Sequence, residues 1–253
     1  MLGEVRQQKL MELLKQQKSV RIRDLTTSFQ VSEETIRRDL RKLEMDGLLR
    51  RTHGGAVLDN VVHAVPPIHQ RTTEQVEAKR LVARAAASMV PAGSSVILDS
   101  GSTTLEIARQ FQNKNVTVIT NELSIAMELS SSPLVNLIML GGTLQKGSYT
   151  LVGPECEDDI GRYNVDYVFL GSGGVSKQKG LTTSSMAEVE LKRKMIAVGQ
   201  KVYCVTDSSK LGRAALVTYA GLGDVTAIIT NRVQQSSTLS DIEATGATFI
   251  FVD

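Results

Sequence analysis

The strongest constraint on the fold is an alternation of two patterns along residues 95–252. Short runs rich in Val and Ile alternate with stretches in which apolar residues recur every three or four positions. The runs with the composition of β-strands cover residues 95–99, 116–121, 135–140, 166–170, 201–206, 227–230 and 248–252. The helical patterns lie near residues 74–89, 103–111, 123–130, 154–163, 186–198 and 239–245. Because strands alternate with helices, we predict an α/β fold with a mostly parallel sheet covered on both faces.

The first 58 residues have a different pattern. Apolar residues at helical spacing predict two short helices, within residues 4–17 and 19–29. Ser32 is a favourable N-cap for a third helix that extends to about residue 46, where Gly47 is the expected C-terminal stop. Residues 48–58 then have the pattern of two short strands around a turn at His53, Gly54 and Gly55. Three short helices followed by such a hairpin predict a winged helix-turn-helix.

These patterns divide the chain into three parts. We predict a DNA-binding domain over residues 1–58, a linker over 59–73 that contains Pro66-Pro67, and a larger α/β domain over 74–253. The positive charge is concentrated at the N-terminus, since residues 1–59 contain 12 Lys and Arg against 9 Asp and Glu. This excess is modest, but it lies where a nucleic-acid-binding module requires it.

The third predicted helix has a basic exposed side. With Ile36, Leu40 and Leu43 facing inward, short polar residues lie near the helix start and arginines lie behind them, which suits entry into the major groove of DNA. The alternative is an ordinary amphipathic helix whose basic face is only solvated. The cap, the core spacing and the basic side agree with one another, and we therefore favour DNA binding. The predicted DNA-binding residues, including two arginines and a histidine of the wing, are Ser32, Glu34, Thr35, Arg37, Arg38, Arg41, Lys42, Arg50, Arg51 and His53.

Several classes of protein are excluded by composition. Hydrophobic residues make up 42% and charged residues 22% of the chain, which excludes a disordered protein. No stretch approaches the roughly 18 consecutive apolar residues of a membrane span, and the N-terminus lacks the apolar core of a secretory signal. The two cysteines, Cys156 and Cys204, and the three scattered histidines do not have metal-ligand spacing. We predict a cytoplasmic protein with no membrane partner, no metal site and no cofactor.

A candidate anion site follows the strand at residues 95–99. The segment Ser100-Gly101-Ser102-Thr103-Thr104 precedes a helix that we expect to begin at about residue 104 or 105. A glycine turn with several hydroxyls at a helix N-terminus can hold a phosphate group. The alternative is that Ser102 or Thr103 only caps the helix. Other predicted strands also end in small or polar residues, at Thr120-Asn121, Gly141-Gly142 and residues 171–174, and ligands of parallel sheets bind beyond these ends.

Three charged residues lie further along the chain. Glu188 and Lys192 are one helical turn apart, and Lys210 follows a strand, where its ammonium can reach an anion. The alternative for Glu188 and Lys192 is a surface pair worth only about 0.2–0.5 kcal/mol.

The segments VSEETIRRDL (residues 31–40) and GLLRRTHGGA (residues 47–56) resemble the N-terminal signature of the DeoR family of bacterial sugar-operon repressors. The resemblance extends over nearly the whole chain. It implies a winged helix-turn-helix joined to a sensor domain that is similar to the ribose-5-phosphate isomerase fold and binds a phosphorylated sugar. It also implies double-stranded operator DNA as a partner. Because helix-turn-helix proteins commonly read two half-sites, we expect a homo-oligomer, dimer or tetramer. The effector-binding residues that the strand ends and the resemblance together indicate are Asp99, Ser100, Gly101, Ser102, Thr103, Thr104, Thr120, Asn121, Gly141, Gly142, Gly171, Gly173, Glu188, Lys192 and Lys210.

Two functions are compatible with these features. The first is a ligand-responsive repressor of a carbohydrate-utilisation operon, and the alternative is a sugar-phosphate isomerase-like enzyme with an appended DNA-binding domain. Isomerisation requires a general base and further carboxylates. Residues 171–176 contain no carboxylate, and Glu188 is one candidate base without evident partners. We therefore predict the repressor and assign no catalytic residue.

Overall fold

The computed structural model describes residues 3–17, 19–45, 49–52, 54–57, 72–145, 148–232 and 237–253. The chain divides into two compact units, Met1–Pro67 and Ile68–Asp253. Most of the predicted linker, with Pro66-Pro67, lies outside the described residues, as do Gly47 and His53. Among the described residues, no helix is long and apolar enough to cross a membrane.

The first unit is a winged helix-turn-helix, as predicted. Its elements are α1 (Gly3–Gln17), β1 (Ser19–Arg21), α2 (Ile22–Phe29), α3 (Glu33–Met45), β2 (Arg50–Thr52) and β3 (Gly55–Val57). The strands form an antiparallel sheet in the order β1-β3-β2. The prediction of a helical segment over all of residues 19–29 is wrong for residues 19–21, because these pair with the wing strand β3 instead of joining the helix.

Apolar side chains from all three helices form the core of the first unit. Leu10 and Leu14 of α1 belong to one buried cluster with Leu25 of α2 and the apolar residues of α3. The predicted inward face of α3 is confirmed, since Ile36, Leu40 and Leu43 are all buried. This packing fixes α3 by one face and leaves the opposite face to solvent.

The second unit is an α/β domain, as predicted. Its strands are β4 (Ser95–Leu98), β5 (Val116–Thr120), β6 (Val135–Met139), β7 (Thr143–Leu144), β8 (Leu151–Val152), β9 (Val165–Gly171), β10 (Gly174–Ser176), β11 (Gly180–Thr183), β12 (Gly199–Val205), β13 (Val217–Ala220), β14 (Ala227–Asn231) and β15 (Phe249–Val252). Its helices are α4 (Val76–Ser88), α5 (Ser102–Gln110), α6 (Leu123–Leu129), α7 (Pro154–Ile160), α8 (Val189–Val198) and α9 (Ser237–Glu243).

Seven strands form one parallel sheet in the order β15-β14-β12-β9-β4-β5-β6. Both faces of the sheet are covered, because neighbouring residues of one strand belong to different apolar clusters. Leu98 packs on one face with Phe111 and Phe169, and Ile97 packs on the other with Val168 and Met195. From β4 the chain proceeds outward through β5 to β6, and from β9 it proceeds outward in the opposite direction. The strand order therefore reverses between β4 and β9.

Two small antiparallel sheets were not predicted. β10, β11 and β13 form one of them, and β7 and β8 form a two-stranded hairpin. These strands are two to four residues long and lack the Val- and Ile-rich composition of the parallel strands. Both sheets are formed by chain segments that connect strands of the parallel sheet. Both contribute residues to the site described below.

Candidate functional site

The exposed side of α3 is the candidate DNA-reading surface. Ser32 caps the helix as predicted, because its hydroxyl oxygen accepts a hydrogen bond from the Thr35 amide at 3.3 Å. The Thr35 hydroxyl lies 2.9 Å from the Ser32 hydroxyl, and Arg37 forms an exposed ion pair with Glu33 at 3.4 Å. The remaining predicted side chains of this helix are exposed, namely Glu34, Arg38, Arg41 and Lys42. The helix thus presents a continuous polar and basic surface.

A buried ion pair fixes α3 against α1. The Asp39 carboxylate accepts hydrogen bonds from the Arg6 guanidinium at 2.5 Å and from the Gln7 amide at 2.9 Å. Asp39 is 4% exposed and Arg6 is 8% exposed. Asp39 lies next to Arg38 in the chain, so this contact holds the backbone from which the predicted base-reading side chains extend. The sequence analysis did not identify the pair.

The wing has one described ionic contact. The backbone amide of Arg51 donates to Glu44 at 2.8 Å, and its guanidinium lies 3.6 Å from the same carboxylate. Arg50 belongs to β2, and its side chain lies outside the described part of the structure, as does His53.

In the second unit, the reversal of strand order defines a second candidate site. Loops that follow β4 and β9 meet there, and ligands of open α/β sheets bind at such a position. The Asp99 carboxylate, at the end of β4, accepts a hydrogen bond from the amide of Gly171 at 2.8 Å. A side chain at Gly171 would place its Cβ 3.0 Å from the Ser100 carbonyl oxygen, so glycine permits this close approach.

Lys192 occupies the centre of this junction. Its ammonium donates to the Asp99 carboxylate and to the Gly171 carbonyl at 3.2 Å, and it lies 3.9 Å from the Glu188 carboxylate. Lys192 is only 2% exposed. The alternative of a surface Glu188–Lys192 pair is therefore wrong, because the helix turns Lys192 inward to a carboxylate that the sequence places 93 residues away.

Tyr219 completes the cluster and was not identified from the sequence. Its hydroxyl donates to the Gly171 carbonyl at 3.2 Å, and its ring centre lies 5.2 Å from the Lys192 ammonium. Burial raises the pKa of Tyr219 well above its usual value, so the phenol remains a hydrogen-bond donor. Tyr219 lies on β13, which was not predicted.

The predicted anion loop lies directly beside this cluster. Helix α5 begins at Ser102, two to three residues earlier than predicted, and no side chain caps it. The alternative in which Ser102 or Thr103 caps the helix is therefore wrong. Thr104 donates its hydroxyl to the Gly101 carbonyl at 2.9 Å, and Gly101 has a φ of 149°, which only glycine adopts readily. Within the described residues, the hydroxyls of Ser100, Ser102 and Thr103 have no hydrogen-bond partner.

Two predicted residues follow β5, the neighbour of β4. The Thr120 hydroxyl donates to the Leu98 carbonyl at 2.8 Å and accepts from the Glu122 amide at 3.1 Å, so it is fully engaged. The Asn121 amide nitrogen donates to the Leu151 carbonyl at 2.9 Å, whereas its side-chain oxygen is buried without a partner.

Three further predicted residues form no hydrogen bond with Asp99 or Lys192 among the described residues. Gly141 and Gly142 are exposed and lead from β6 into the β7–β8 hairpin. Gly173 is also exposed, and its amide donates to the Thr182 carbonyl at 2.8 Å.

Lys210 lies after β12, which β9 separates from β4, so the two strands are about 10 Å apart. Its ammonium has no ion pair within the described chain. The described residues contain no group of three His, Cys, Asp or Glu side chains that could hold a metal ion.

A winged helix-turn-helix joined to an α/β unit with polar loops at its strand-order reversal defines a DNA-binding transcriptional regulator that carries a sensor domain. The DeoR-like helix-turn-helix domain matches residues 6–62, and the DeoR C terminal sensor domain matches residues 74–232. The chain belongs to the DeoR family, as its sequence motifs predict.

Relatives of the chain are named transcriptional regulators. It is 34% identical over 252 residues to the HTH-type transcriptional regulator GlpR of Haloferax volcanii, covering 99% of this chain and 98% of that protein. It is also 34% identical to the putative aga operon transcriptional repressor of Escherichia coli O157:H7, covering 98% and 93%. The glycerol-3-phosphate regulon repressor of Escherichia coli K12 is 34% identical, with 88% of each chain covered.

Solved structures with a partial likeness include ribose 5-phosphate isomerase A from Methanocaldococcus jannaschii. That structure is 19% identical, covers 54% of this chain and 55% of its own, and has a TM-score of 0.40.

Proposed function

We propose that this regulator represses a carbohydrate-utilisation operon and that a phosphorylated sugar or alditol releases it from operator DNA. The observation that carries the proposal is the uncapped start of α5, where the hydroxyls of Ser100, Ser102 and Thr103 have no partner within the described residues. Helix N-termini attract anions because their first amides lack intrahelical acceptors. Two relatives support the class of operon, since their names refer to the glycerol-3-phosphate regulon and the aga operon.

The phosphate of the effector binds, in this proposal, at Gly101–Thr104. Its oxygens accept hydrogen bonds from the amides and hydroxyls of the first turn of α5. A buried dianion also requires positive charge. Lys192 already neutralises Asp99, and Lys210, which has no ion pair within the described chain, supplies the additional charge. The neighbouring Lys192 cluster keeps the β4 and β9 loops in position.

Release of DNA requires that the effector distinguish two states of the protein. The effector can lower the affinity of the protein for operator only if it binds the released state more tightly than the DNA-binding state. The size of the effect is limited by this difference in effector affinity. We propose that the regulator acts in the cytoplasm as a homo-oligomer, dimer or tetramer, because helix-turn-helix proteins commonly read two half-sites of a palindromic operator.

Operator release by sugar phosphates tests this function. A thermal-shift screen first identifies the sugar phosphates that stabilise the full chain. Ser102→Glu places a carboxylate where the phosphate binds, so this variant still binds operator but is not released by the effector. The matched control is Ser237→Glu, because Ser237 is an exposed first residue of another helix. If Ser102→Glu releases operator at the same effector concentration as the parent, the phosphate does not bind at this loop.

The same proposal assigns no catalytic activity to the sensor domain. The loop at residues 171–176 contains no carboxylate, and the Gly171 carbonyl accepts hydrogen bonds from Lys192 and Tyr219. The candidate base Glu188 accepts a hydrogen bond from Thr183 at 3.0 Å and lies next to the Lys192 ammonium. These contacts support a role in holding the loops rather than in moving a substrate proton.

A further inference from the structure

Strand β6 forms one edge of the parallel sheet. It is the last strand in the order, and among the described residues its backbone pairs with β5 alone. Its five residues pair with β5 in one unbroken register, without a bulge. An edge strand presents unpaired backbone amides and carbonyls to which another strand can add. Proteins usually block such edges with charged side chains, with proline within the strand or with a bulge.

The β6 edge has none of these blocking features. Residues 129–145 contain no Asp, Glu, Lys, Arg or His, and Pro133 precedes the strand instead of interrupting it. The opposite edge strand, β15, is followed directly by Asp253, whose carboxylate lies 2.7 Å from the Arg232 guanidinium. Of the two edges of the sheet, β6 is therefore the one without charge.

Exposed apolar side chains are concentrated in the chain around β6. Among the described residues, seven large apolar side chains are exposed, and four of them lie between residues 127 and 149. Met127 is on α6, which leads into β6, and Leu134 immediately precedes the strand. Leu144 and Tyr149 belong to the hairpin that follows it. A concentration of exposed apolar groups is typical of a protein-binding surface.

The pairing with β5 determines which backbone groups of β6 are directed outward. The Leu140 amide donates to the Thr120 carbonyl, at the end of β5, at 2.9 Å. Backbone groups of successive residues alternate between the two sides of a strand. The residues whose amide and carbonyl are directed away from β5 are therefore Val135, Leu137 and Met139.

A second copy of β6, in antiparallel orientation, satisfies these outward groups. With Leu137 opposite Leu137 of the partner subunit, the two leucines exchange a pair of backbone hydrogen bonds. Each Met139 amide then reaches the Val135 carbonyl of the other copy, while the Val135 amide keeps its bond to the Ser132 carbonyl at 3.3 Å. This arrangement has twofold symmetry, and it places no like charges opposite each other because the strand carries none.

We propose that β6 pairs with β6 of a second copy of this chain and joins the seven-stranded sheets of two sensor units into one continuous sheet. A second copy fits the edge because a helix-turn-helix regulator commonly reads two half-sites related by twofold symmetry, and the symmetric strand pairing has that symmetry. The pairing also covers the β6 edges of both copies, so the assembly closes there. This inference rests on the proposed function for the need of two copies and adds the surface that joins them.

Sedimentation velocity of the full chain tests this surface. Asn136 is the exposed residue of β6, and in the proposed register it is diagonal to Asn136 of the partner subunit. Asn136→Lys therefore places two like charges about 7–8 Å apart across the symmetry axis. We expect this variant to have half the mass of the parent assembly at the same protein concentration. Thr248→Lys, at an exposed position beside the opposite edge strand β15, is the matched control and should keep the parent mass.

The outcomes separate this proposal from the function on which it rests. A monomeric parent chain, or an unchanged mass of folded Asn136→Lys, overturns the pairing of β6. If circular dichroism shows that Asn136→Lys does not fold, Leu134→Lys replaces it, since this half-exposed side chain lies outside the strand, and it should also halve the mass. The sugar phosphates that stabilise the parent in the thermal-shift screen should stabilise Asn136→Lys as well. A parent that no sugar phosphate stabilises overturns the proposed effector instead, whatever its mass.

Discussion

The ammonium of Lys192 donates a hydrogen bond to the carboxylate of Asp99, and both side chains are almost completely buried. Asp99 lies at the end of the first strand of the parallel sheet, and Lys192 lies on the helix that precedes β12. Their contact joins the two halves of the sheet where the strand order reverses. The anion loop begins at the next residue after Asp99, so the position of that loop depends on this pair.

Removing one member of the pair should destabilise the sensor unit strongly. Lys192→Met leaves the Asp99 carboxylate buried without its cation, and breaking a buried ion pair in this way costs about 3–5 kcal/mol. Urea unfolding followed by circular dichroism measures the loss. Lys194→Met, which removes a more exposed contact with Asp158, serves as the control and should cost less than about 1 kcal/mol. Equal effects of the two substitutions would contradict the central role of Lys192.

Arg38→Ala should abolish specific operator binding while the fold is retained. Arg38 is exposed on the polar side of α3, and an arginine that reads a base contributes roughly 1–3 kcal/mol of discrimination. Gel-shift titrations at two salt concentrations on an operator obtained by in vitro selection measure the change, with Arg162→Ala in the sensor unit as the control. A normal circular dichroism spectrum together with unchanged affinity would show that Arg38 does not read DNA.

Asp39→Leu should destabilise the first unit by about 3 kcal/mol, because it removes the buried carboxylate that pairs with the Arg6 guanidinium. The double variant Arg6→Met/Asp39→Leu replaces both charges by apolar groups and should recover most of this loss. Thermal unfolding of the single and double variants gives the coupling free energy. Purely additive effects would indicate that the contact does not hold α3.

The stability of the sensor unit should decrease above pH 9. Burial raises the pKa of both cysteine thiols, Cys156 and Cys204, from 9.0 to about 12. The folded chain then keeps protons that the unfolded chain releases, so rising pH favours unfolding by about 1 kcal/mol per thiol at pH 10. Urea titrations at pH 8 and pH 10 measure the decrease. The variant Cys156→Ala/Cys204→Ala should show a smaller decrease, and an identical one would contradict this assignment.

The purified protein should not interconvert aldose and ketose phosphates. Incubation with ribose 5-phosphate, followed by nuclear magnetic resonance, should show no turnover above buffer, because the loop after β9 contains no carboxylate. Turnover that disappears in Glu188→Gln would establish the enzyme function instead.

The parallel sheet and helix α3 were predictable because their signals are local. The Val- and Ile-rich strands and the inward spacing of Ile36, Leu40 and Leu43 each depend on residues close together in the chain. The observed helix and strand bounds differ from the predicted ones by only a few residues.

The pairing of side chains within the sites was not predictable in the same way. Lys192 has a local neighbour at Glu188, and that neighbour suggested a surface pair, whereas its buried partner Asp99 is brought close only by the folded sheet. Tyr219 lies on β13, a short strand without a periodic pattern of its own, and we therefore predicted no role for it. The start of α5 was also not predictable. We expected it at residue 104 or 105, whereas the helix begins at Ser102 and has no side-chain cap.

The two units are synthesised one after the other, and this affects the order in which they fold. The winged helix-turn-helix is built from contacts within residues 3–57, whereas the sensor site needs residues from Asp99 to Tyr219. Units built from local contacts generally fold early, and domains fold in the order in which they leave the ribosome. A nascent chain that ends before Val217 contains the whole of α3 and none of β13. The growing polypeptide therefore acquires the proposed DNA-reading surface before it acquires the site proposed to release it from DNA.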